Sequence, residues 1–261
     1  MTDTLVDSKN PLLKQVRRAV ARGSLTEDGF AVAESFHLLE EALKSECEIQ
    51  AVIVAESVKN PVAAHVRGLN RTRVIAVSDR LFAELASTET TQGAIALVKP
   101  PEWTLDHLLR GKALAVVLDG VQDPGNAGAI VRAAEAFGAT GAAFLKGSVS
   151  PYNPKSLRGS AGSMFRLPVV TGVDEMLLLA AIDQRQMTLY AANPRAAQSI
   201  SQADFSKSCA IVIGSEGRGV SEKLQQRATG VRIPTSKVES LNAAVAAGIM
   251  LYEARRQRIG A

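Results

Sequence analysis

The stretch Ile211–Arg258, IVIGSEGRGVSEKLQQRATGVRIPTSKVESLNAAVAAGIMLYEARRQR, decides how this chain folds. It opens on Ile211, Val212 and Ile213, β-branched residues that read as a buried strand. Gly214, Gly217 and Gly219 follow, with Ser215, Glu216 and Arg218 between them; such glycines let backbone N–H groups turn inward onto a ligand. A second short strand, Val231–Ile233, stops at Pro234, which has no N–H for a ladder. After the polar run 235–239, Ser240 has the chemistry of an N-cap. The helix expected from Leu241 to Arg258 places Leu241, Ala244, Val245, Gly248, Ile249 and Tyr252 together and fills another side with Met250 and Leu251. A helix apolar almost all round until Glu253 is expected to be covered by other protein. Two polar or glycine-rich loops, each closing a strand and backed by a buried helix, predict a site.

Outward from that stretch, strands are predicted in "ALAVVLDG" (113–120) and at Ala142–Leu145 and Thr188–Ala192. Helices are predicted at Ala127–Phe137, Asp174–Arg185 and Ser221–Arg227. This alternation implies an α/β fold with a doubly covered parallel sheet, and such sheets bind ligands at the carboxyl ends of their strands. The loops after Leu118, Ala192, Ile213 and Ile233 are therefore the ones to watch. The first hundred residues read as a smaller α/β unit. A basic helix, PLLKQVRRAVARG, stops at Gly23; a strand at Phe30–Ala33 leads to a helix striped by Phe36, Leu39 and Leu43. Apolar runs at Ala51–Ala55, Val74–Val77 and Ala94–Val98 complete a mixed or parallel sheet. Lys99-Pro100-Pro101 breaks the chain, so the expected division is 1–98, a linker at 99–112, and 113–261.

Composition narrows the function classes. With 261 residues, 46% hydrophobic and 21% charged, the chain has ample core for one large or two ordinary globular domains. Net charge of +4 suits an anionic partner. Cys47 and Cys209 stand apart from any motif and read as free thiols of a reducing compartment, which points to the cytoplasm. The N-terminal MTDTLVDSKNP lacks the apolar core of a signal peptide, and no apolar run is long enough to span a bilayer. His37, His65 and His107 are scattered, so no metal site is expected.

Two further constellations can carry chemistry. In LDGVQDPGNAGAIVRAAEAFGA (118–139) a strand ends at Asp119-Gly120 and Asp123-Pro124-Gly125 turns the chain. Asn126 is a candidate N-cap, and Arg132, one to two turns on, can point back at the loop. The glycines are out of register for a dinucleotide fingerprint, and an ordinary strand–turn–helix with a solvated arginine fits equally well. In SPYNPKSLRGSAGSMFRLPV (150–169) Lys155, Arg158 and Arg166 are interleaved with Tyr152, Asn153, Ser156, Ser160 and Ser163, a mixture suited to a phosphate–ribose backbone or to a solvated basic loop. The 214–219 loop can cradle a phosphate or a nucleoside; no P-loop lysine follows it.

Together these segments resemble the SpoU/TrmH branch of the SPOUT superfamily, S-adenosylmethionine-dependent RNA ribose 2′-O-methyltransferases. DPGNAGAIVRAAEAFG is similar to the family's first motif, IVIGSEGRGVS to its second and IPTSKVESLNAAVAAGIMLYEARRQR to its third; YNPKSLRGSAGSMFRLPV is also typical. The first hundred residues resemble the family's RNA-binding module, with Ser35 where the family usually has glycine. The resemblance implies a catalytic parallel sheet whose C-terminal segment is threaded as a deep trefoil knot, against ordinary topology rules. It also implies a homodimer formed through that knotted domain. By matching motif positions, Gly214, Ile233 and Leu241 fall at the cofactor, with Asn193, Glu216, Gly217, Ser240 and Asn242 beside it. Arg132 takes the central catalytic role, helped by Asn126, Glu216, Ser240 and Asn242, while Lys155, Arg158 and Arg166 fall to the RNA. Ribosomal RNA is the expected substrate ahead of tRNA. Two rivals oppose this reading. A non-catalytic RNA binder has no reason to keep Asn126, Arg132, Glu216, Ser240 and Asn242, and a Rossmann-type oxidoreductase needs the fingerprint that is missing.

Overall fold

The structure is a computed structural model that describes residues 2–3, 9–65, 72–88 and 90–259. The N-terminal stretch weighed above as a targeting signal lies largely outside these residues. In chain order the first elements are β1 (Thr2–Asp3), α1 (Pro11–Arg22), β2 (Ala31–Glu34), α2 (Phe36–Lys44), β3 (Ile49–Ala55), α3 (Lys59–His65), β4 (Arg73–Val77), α4 (Asp79–Leu85) and β5 (Ala94–Val98). Then come α5 (Leu105–Leu108), β6 (Leu114–Asp119), α6 (Pro124–Ala136), β7 (Gly141–Leu145), α7 (Pro154–Ser160) and α8 (Ser163–Arg166). The chain finishes with β8 (Val169–Val173), α9 (Glu175–Gln184), β9 (Thr188–Ala192), β10 (Gln198–Ser199), β11 (Cys209–Gly214), α10 (Glu222–Arg227), β12 (Thr229–Arg232) and α11 (Ala243–Ile259).

Two compact units result, and they are not simply sequential. The first comprises residues 1–101 together with 152–166; the second comprises 102–151 and 167–261. In the first, the sheet order is β1-β4-β3-β5-β2, with β1, β4 and β3 parallel and β5 antiparallel to both β3 and β2. Strands β3 and β5 read as nearly unbroken apolar runs because both their faces are covered. Helix α1 starts where Asn10 caps Leu12 N with Pro11 in the first turn, and ends at Gly23 in the left-handed region. Its stripe of Leu13, Val16 and Ala19 packs with Ile53, Ile75, Phe82 and Ile95.

Ser35 caps α2 through Leu38 N at 3.1 Å, but its φ of 139° and ψ of 160° lie in a region where only glycine is at ease. Serine at this position therefore carries backbone strain, partly offset by the cap. Ser35→Gly is expected to raise stability by about 1 kcal/mol, since the strain relieved exceeds the few tenths lost with the cap. An upward shift of the thermal midpoint checks this.

The segment 152–166, a candidate basic loop by sequence, forms α7 and α8 and packs on β2 within the first unit. Its Asn153-Pro154 start is an N-cap followed by proline, with Asn153 accepting from Lys155 N at 2.9 Å. Ser156, Ser160 and Ser163 are buried, and burial pushes the Tyr152 phenol up. Glu34, only 4% exposed, accepts from Ser87 N at 2.9 Å, from the hydroxyls of Ser87 and Thr88, and from Arg158 at 3.3 Å. Arg166 pairs with Glu41, whose carboxyl is held low by the hydrogen bond from Lys44, with Arg166 adding to the effect.

The second unit is a seven-stranded sheet, parallel at every pairing, in the order β10-β12-β9-β11-β6-β7-β8. On one face Ala115, Val117, Ala143, Leu189, Ala210 and Val212 pack with Leu178, Leu179 and Ile182 of α9 and Leu224 of α10. Helix α11 packs on α6 and β11, burying Ala243, Ala247, Met250, Leu251 and Ala254. Two helix starts differ from the sequence expectation. Helix α6 begins at Pro124 with Asp123 as its cap, accepting from Asn126 N at 2.8 Å, because aspartate before proline is the better cap. Helix α11 begins at Ala243, and Asn242, not Ser240, accepts from Ala244 N at 2.9 Å and Val245 N at 3.3 Å. The edge strand β8 and the short β10 escaped the sequence reading; β8 reads VVTGV, with Gly172 in turn-like φ. Among the described residues no helix is long and apolar enough to cross a membrane, and no cluster of three or more His, Cys, Asp or Glu could hold a metal.

Candidate active site

Strand order reverses between β6 and β11: from β6 the chain steps outward through β7 and β8, then returns on the other side. Open parallel sheets bind ligands in the crevice outside the carboxyl ends at such a switch point. Asp119 and Gly214, the last residues of β6 and β11, are register partners there. The loop that leaves Gly214 is closed on itself, with Ser215 N donating to Gly219 O at 3.1 Å and Gly219 N to Ser215 O at 2.8 Å. Arg218 N donates to Ser215 Oγ at 3.2 Å. A Cβ at Gly214 would lie 2.1 Å from the carbonyl carbon of Gly219, so the backbone crossing here admits no side chain. The far end of the loop is tied down where Ser221 N donates to Asp119 at 2.6 Å.

Moving the α6 cap to Asp123 leaves the Asn126 side chain free for other work. Its Nδ2 donates to the Glu216 carboxylate, and its Oδ1 accepts from Asn242 Nδ2 at 3.0 Å. Asn242 Oδ1 in turn accepts the first amides of α11. Donors and acceptors alternate without conflict along this line, which fixes both amide orientations. One residue from each of three segments far apart in sequence thus meets at the switch point.

The remaining predicted residues differ in their settings. Arg132 is exposed on α6 and has no hydrogen bond or ion pair among the described residues. Helical side chains lean toward the helix N-terminus, which for Arg132 is the direction of Gly128 and Ala129, one turn earlier. Ser240 is exposed two residues before the α11 cap, and Gly217 is exposed with open space where a Cβ would stand. Ile233 and Leu241 are half-buried at the two ends of a segment whose residues 234–240 are all exposed. Asn193 follows β9, donates its own N–H to Val231 O at 2.9 Å, and lines a cavity of about 340 Å³ with Ala191, Ala196, Gln198, Gln225 and Gly230. Gly214, Ile233 and Leu241 do not line that cavity. Lys155, Arg158 and Arg166 belong to the first unit, where Lys155 is exposed and both arginines are in ion pairs. Sequence reads Asp119 as a strand end and Asp123 as a turn residue; their roles as loop tether and helix cap come from the structure.

Fold and site together define a class: a doubly covered parallel α/β enzyme domain with its polar junction at the topological switch point. Residues 113–252 match the SpoU rRNA methylase family, and residues 10–96 match the MRM3-like substrate binding domain. The chain belongs to the SpoU rRNA methylase family, and is an S-adenosylmethionine-dependent RNA methyltransferase. It is 31% identical over 255 residues to the 23S rRNA (guanosine(2553)-2′-O)-methyltransferase RlmP of Bacillus subtilis, covering 95% of this chain and 97% of that one. An uncharacterised tRNA/rRNA methyltransferase of Synechocystis sp. is 35% identical over 263 residues, 98% of this chain and 94% of the relative. The crystal structure of the SpoU methyltransferase AviRb from Streptomyces viridochromogenes in complex with AdoMet superposes with a TM-score of 0.88 at 28% identity, covering 96% of this chain and 99% of that one.

Proposed function

We propose that this chain methylates the 2′-hydroxyl of a ribose in structured RNA, ribosomal RNA ahead of tRNA, in the cytoplasm. The observation that carries the reading is the hydrogen-bonded meeting of Asn126, Glu216 and Asn242 at the switch point of a SpoU-family sheet. Relatives named as 23S rRNA 2′-O-methyltransferases support the choice of RNA. The residues fit the cofactor. Ile233 and Leu241 are apolar side chains left half-open beside an otherwise exposed segment, as a purine requires, and Asn193, Gly214, Glu216, Gly217 and Asn242 offer amide, backbone and carboxylate partners for its polar groups.

When bound, S-adenosylmethionine supplies a methyl group already activated on a sulfonium. The protein must then align the ribose oxygen, exclude water and ease loss of the hydroxyl proton. A guanidinium with a pKa above about 12 is a poor base. Arg132 therefore holds an RNA phosphate and stabilises the developing alkoxide, and the proton leaves through that phosphate or a water. Asn126 spends both ends of its amide on Glu216 and Asn242, so it fixes the loop and the α11 start relative to each other. Ser240, exposed two residues before Asn242, assists at the ribose.

The division into a substrate-binding part at 1–98, a linker at 99–112 and a catalytic part at 113–261 belongs to the same reading, with 152–166 folded onto the first unit. Lys155 is its exposed RNA contact; Arg158 and Arg166 contribute by holding that segment in shape. The C-terminal segment forms a deep trefoil knot, in keeping with β12 lying between β10 and β9 before α11 packs on α6 and β11. Val245, Ile249 and Tyr252 form one exposed apolar stripe on α11, at 50%, 37% and 56% exposure, and a second copy of the chain covers it. Tritiated methyl transfer to total RNA from a strain lacking this protein tests the function. The label is expected in one ribose of ribosomal RNA; label on a base, or none in RNA, overturns it.

A further inference from the structure

The carboxyl edge of the second unit's sheet carries an asymmetry of charge. Its acids are engaged inward: Asp119 accepts from Ser221 N, Asp123 from Asn126 N, and Glu216 from the Asn126 side chain. Its cations are not. Arg195, Arg218, Arg232 and Lys237 are all exposed, and none has an ion pair or a side-chain hydrogen bond among the described residues. Glu239 is the one exposed acid on the same loops without such a bond among the described residues. The four cations sit on segments fixed by backbone contacts. Arg195 N donates to Asn193 Oδ1 at 2.9 Å, and Asn193 N donates to Val231 O, which places Arg195 beside the strand that ends in Arg232. Arg218 lies in the closed 215–219 loop, and Lys237 in a turn where the Thr235 hydroxyl donates to Val238 O at 2.7 Å.

Away from this edge Lys14, Arg22, Arg80, Arg110, Lys112 and Arg255 are also exposed without an ion pair among the described residues, but they are scattered and several other cations are spent on acids. Arg158 and Arg166 face Glu34 and Glu41, and Lys146, Arg185 and Arg227 pair with aspartates. A paired cation offers a phosphate little net charge, whereas an exposed, unpaired one can release condensed counterions from the RNA. We propose that Arg195, Arg218, Arg232 and Lys237 form the phosphate track along which the substrate RNA lies, running across the carboxyl edge over β12, β9 and β11 toward Arg132. The track rests on the reading that RNA is the substrate and adds residues to it. Backbone phosphates are contacted without regard to sequence, so these four set affinity and register, not the choice of nucleotide.

Salt dependence of binding tests the track. The probe is a fluorescent single-stranded RNA 20-mer, with deproteinised ribosomal RNA as a second arm. Each phosphate contact on a single strand contributes about 0.7 to the slope of log K against log salt. Changing all four residues to glutamine is expected to lower the slope by about 3 and to weaken binding more than tenfold at about 0.1 M salt. Replacing the three arginines with lysine, and leaving Lys237, is expected to keep most of the slope. Calorimetric affinity for S-adenosylmethionine, measured on the same variants, separates a lost track from a misfolded site, and single glutamine variants replace the quadruple one if that affinity falls. An unchanged slope with RNA still bound overturns the track while leaving the methyltransferase reading intact. A loss of slope in Lys155→Gln alone, with the four glutamine changes silent, moves the binding face to the first unit and overturns it equally.

Discussion

Arg132→Ala is expected to lower the turnover of methyl transfer by about 10²–10³-fold, the cost of removing one preorganised donor from a developing oxyanion. Affinity for S-adenosylmethionine should stay within a few fold, because among the described residues Arg132 has no hydrogen bond or ion pair with any residue assigned to the cofactor. The arginine sits on a helix whose start is pinned by Asp123 and Pro124 and whose buried face is fixed by Ala127, Ile130, Val131 and Ala134. The substitution therefore changes chemistry without changing fold. Arg132→Lys should recover little, since a point charge cannot reproduce the planar fork that grips a phosphate. Single-turnover rates with labelled donor and ribosomal RNA read both variants. A lysine variant at near-native rate would mean that charge alone suffices.

The second large effect is on stability. At the end of α11, Arg258 donates from Nε to Phe205 O at 2.8 Å, from Nη1 to Lys112 O at 2.9 Å, and from Nη2 to Ala113 O at 2.9 Å and Lys207 O at 2.6 Å. Gln257 adds bonds to Phe205 N and Ala203 O. The C-terminal turn is thereby bolted to the starts of β6 and β11, the two strands at the switch point. Burial pushes the Cys209 thiol beside it up to about 11, so the guanidinium faces carbonyls and a neutral sulfur, with no ion pair among the described residues. Arg258→Ala strands several carbonyls at once. The expected loss is about 3 kcal/mol, given roughly 1.5–3 kcal/mol for a bond to a charged group and incomplete additivity. At about 2–4 °C per kcal/mol for a domain of this size, the thermal midpoint should fall by about 6–12 °C. Arg258→Lys should recover only part of it. A midpoint unmoved by the alanine change would show that the latch does nothing.

Much of this architecture is written locally. The buried strands announce themselves as β-branched runs, and Gly23 and Asn10 bound α1 as sequence rules require. What escaped was either weak or distant. The strand β8 is an edge with a glycine, and its partly exposed pattern lacks the strength of VVL or IVI. Helices α7 and α8 are short and rich in serine and glycine, so their composition reads as loop; they are held by ion pairs to residues 124 and 125 positions away, which no local pattern can reveal. Three of the four loops expected at the carboxyl edge of the sheet supply the junction of Asn126, Glu216 and Asn242. Its internal wiring was not legible, because two caps were assigned to the wrong residue. Placing the α6 cap on Asp123 instead of Asn126, and the α11 cap on Asn242 instead of Ser240, turns two helix starts into a connected junction.

That junction is the claim on which the account stands, and a double-mutant cycle on Asn126→Ala and Asn242→Ala measures it directly. Single-turnover methyl transfer to ribosomal RNA should fall steeply for each change, and the double variant should be little worse than either alone, because both break the same link between the loop and α11. Rate losses that simply multiply would mean the two asparagines act independently, and the three segments would then not form one site.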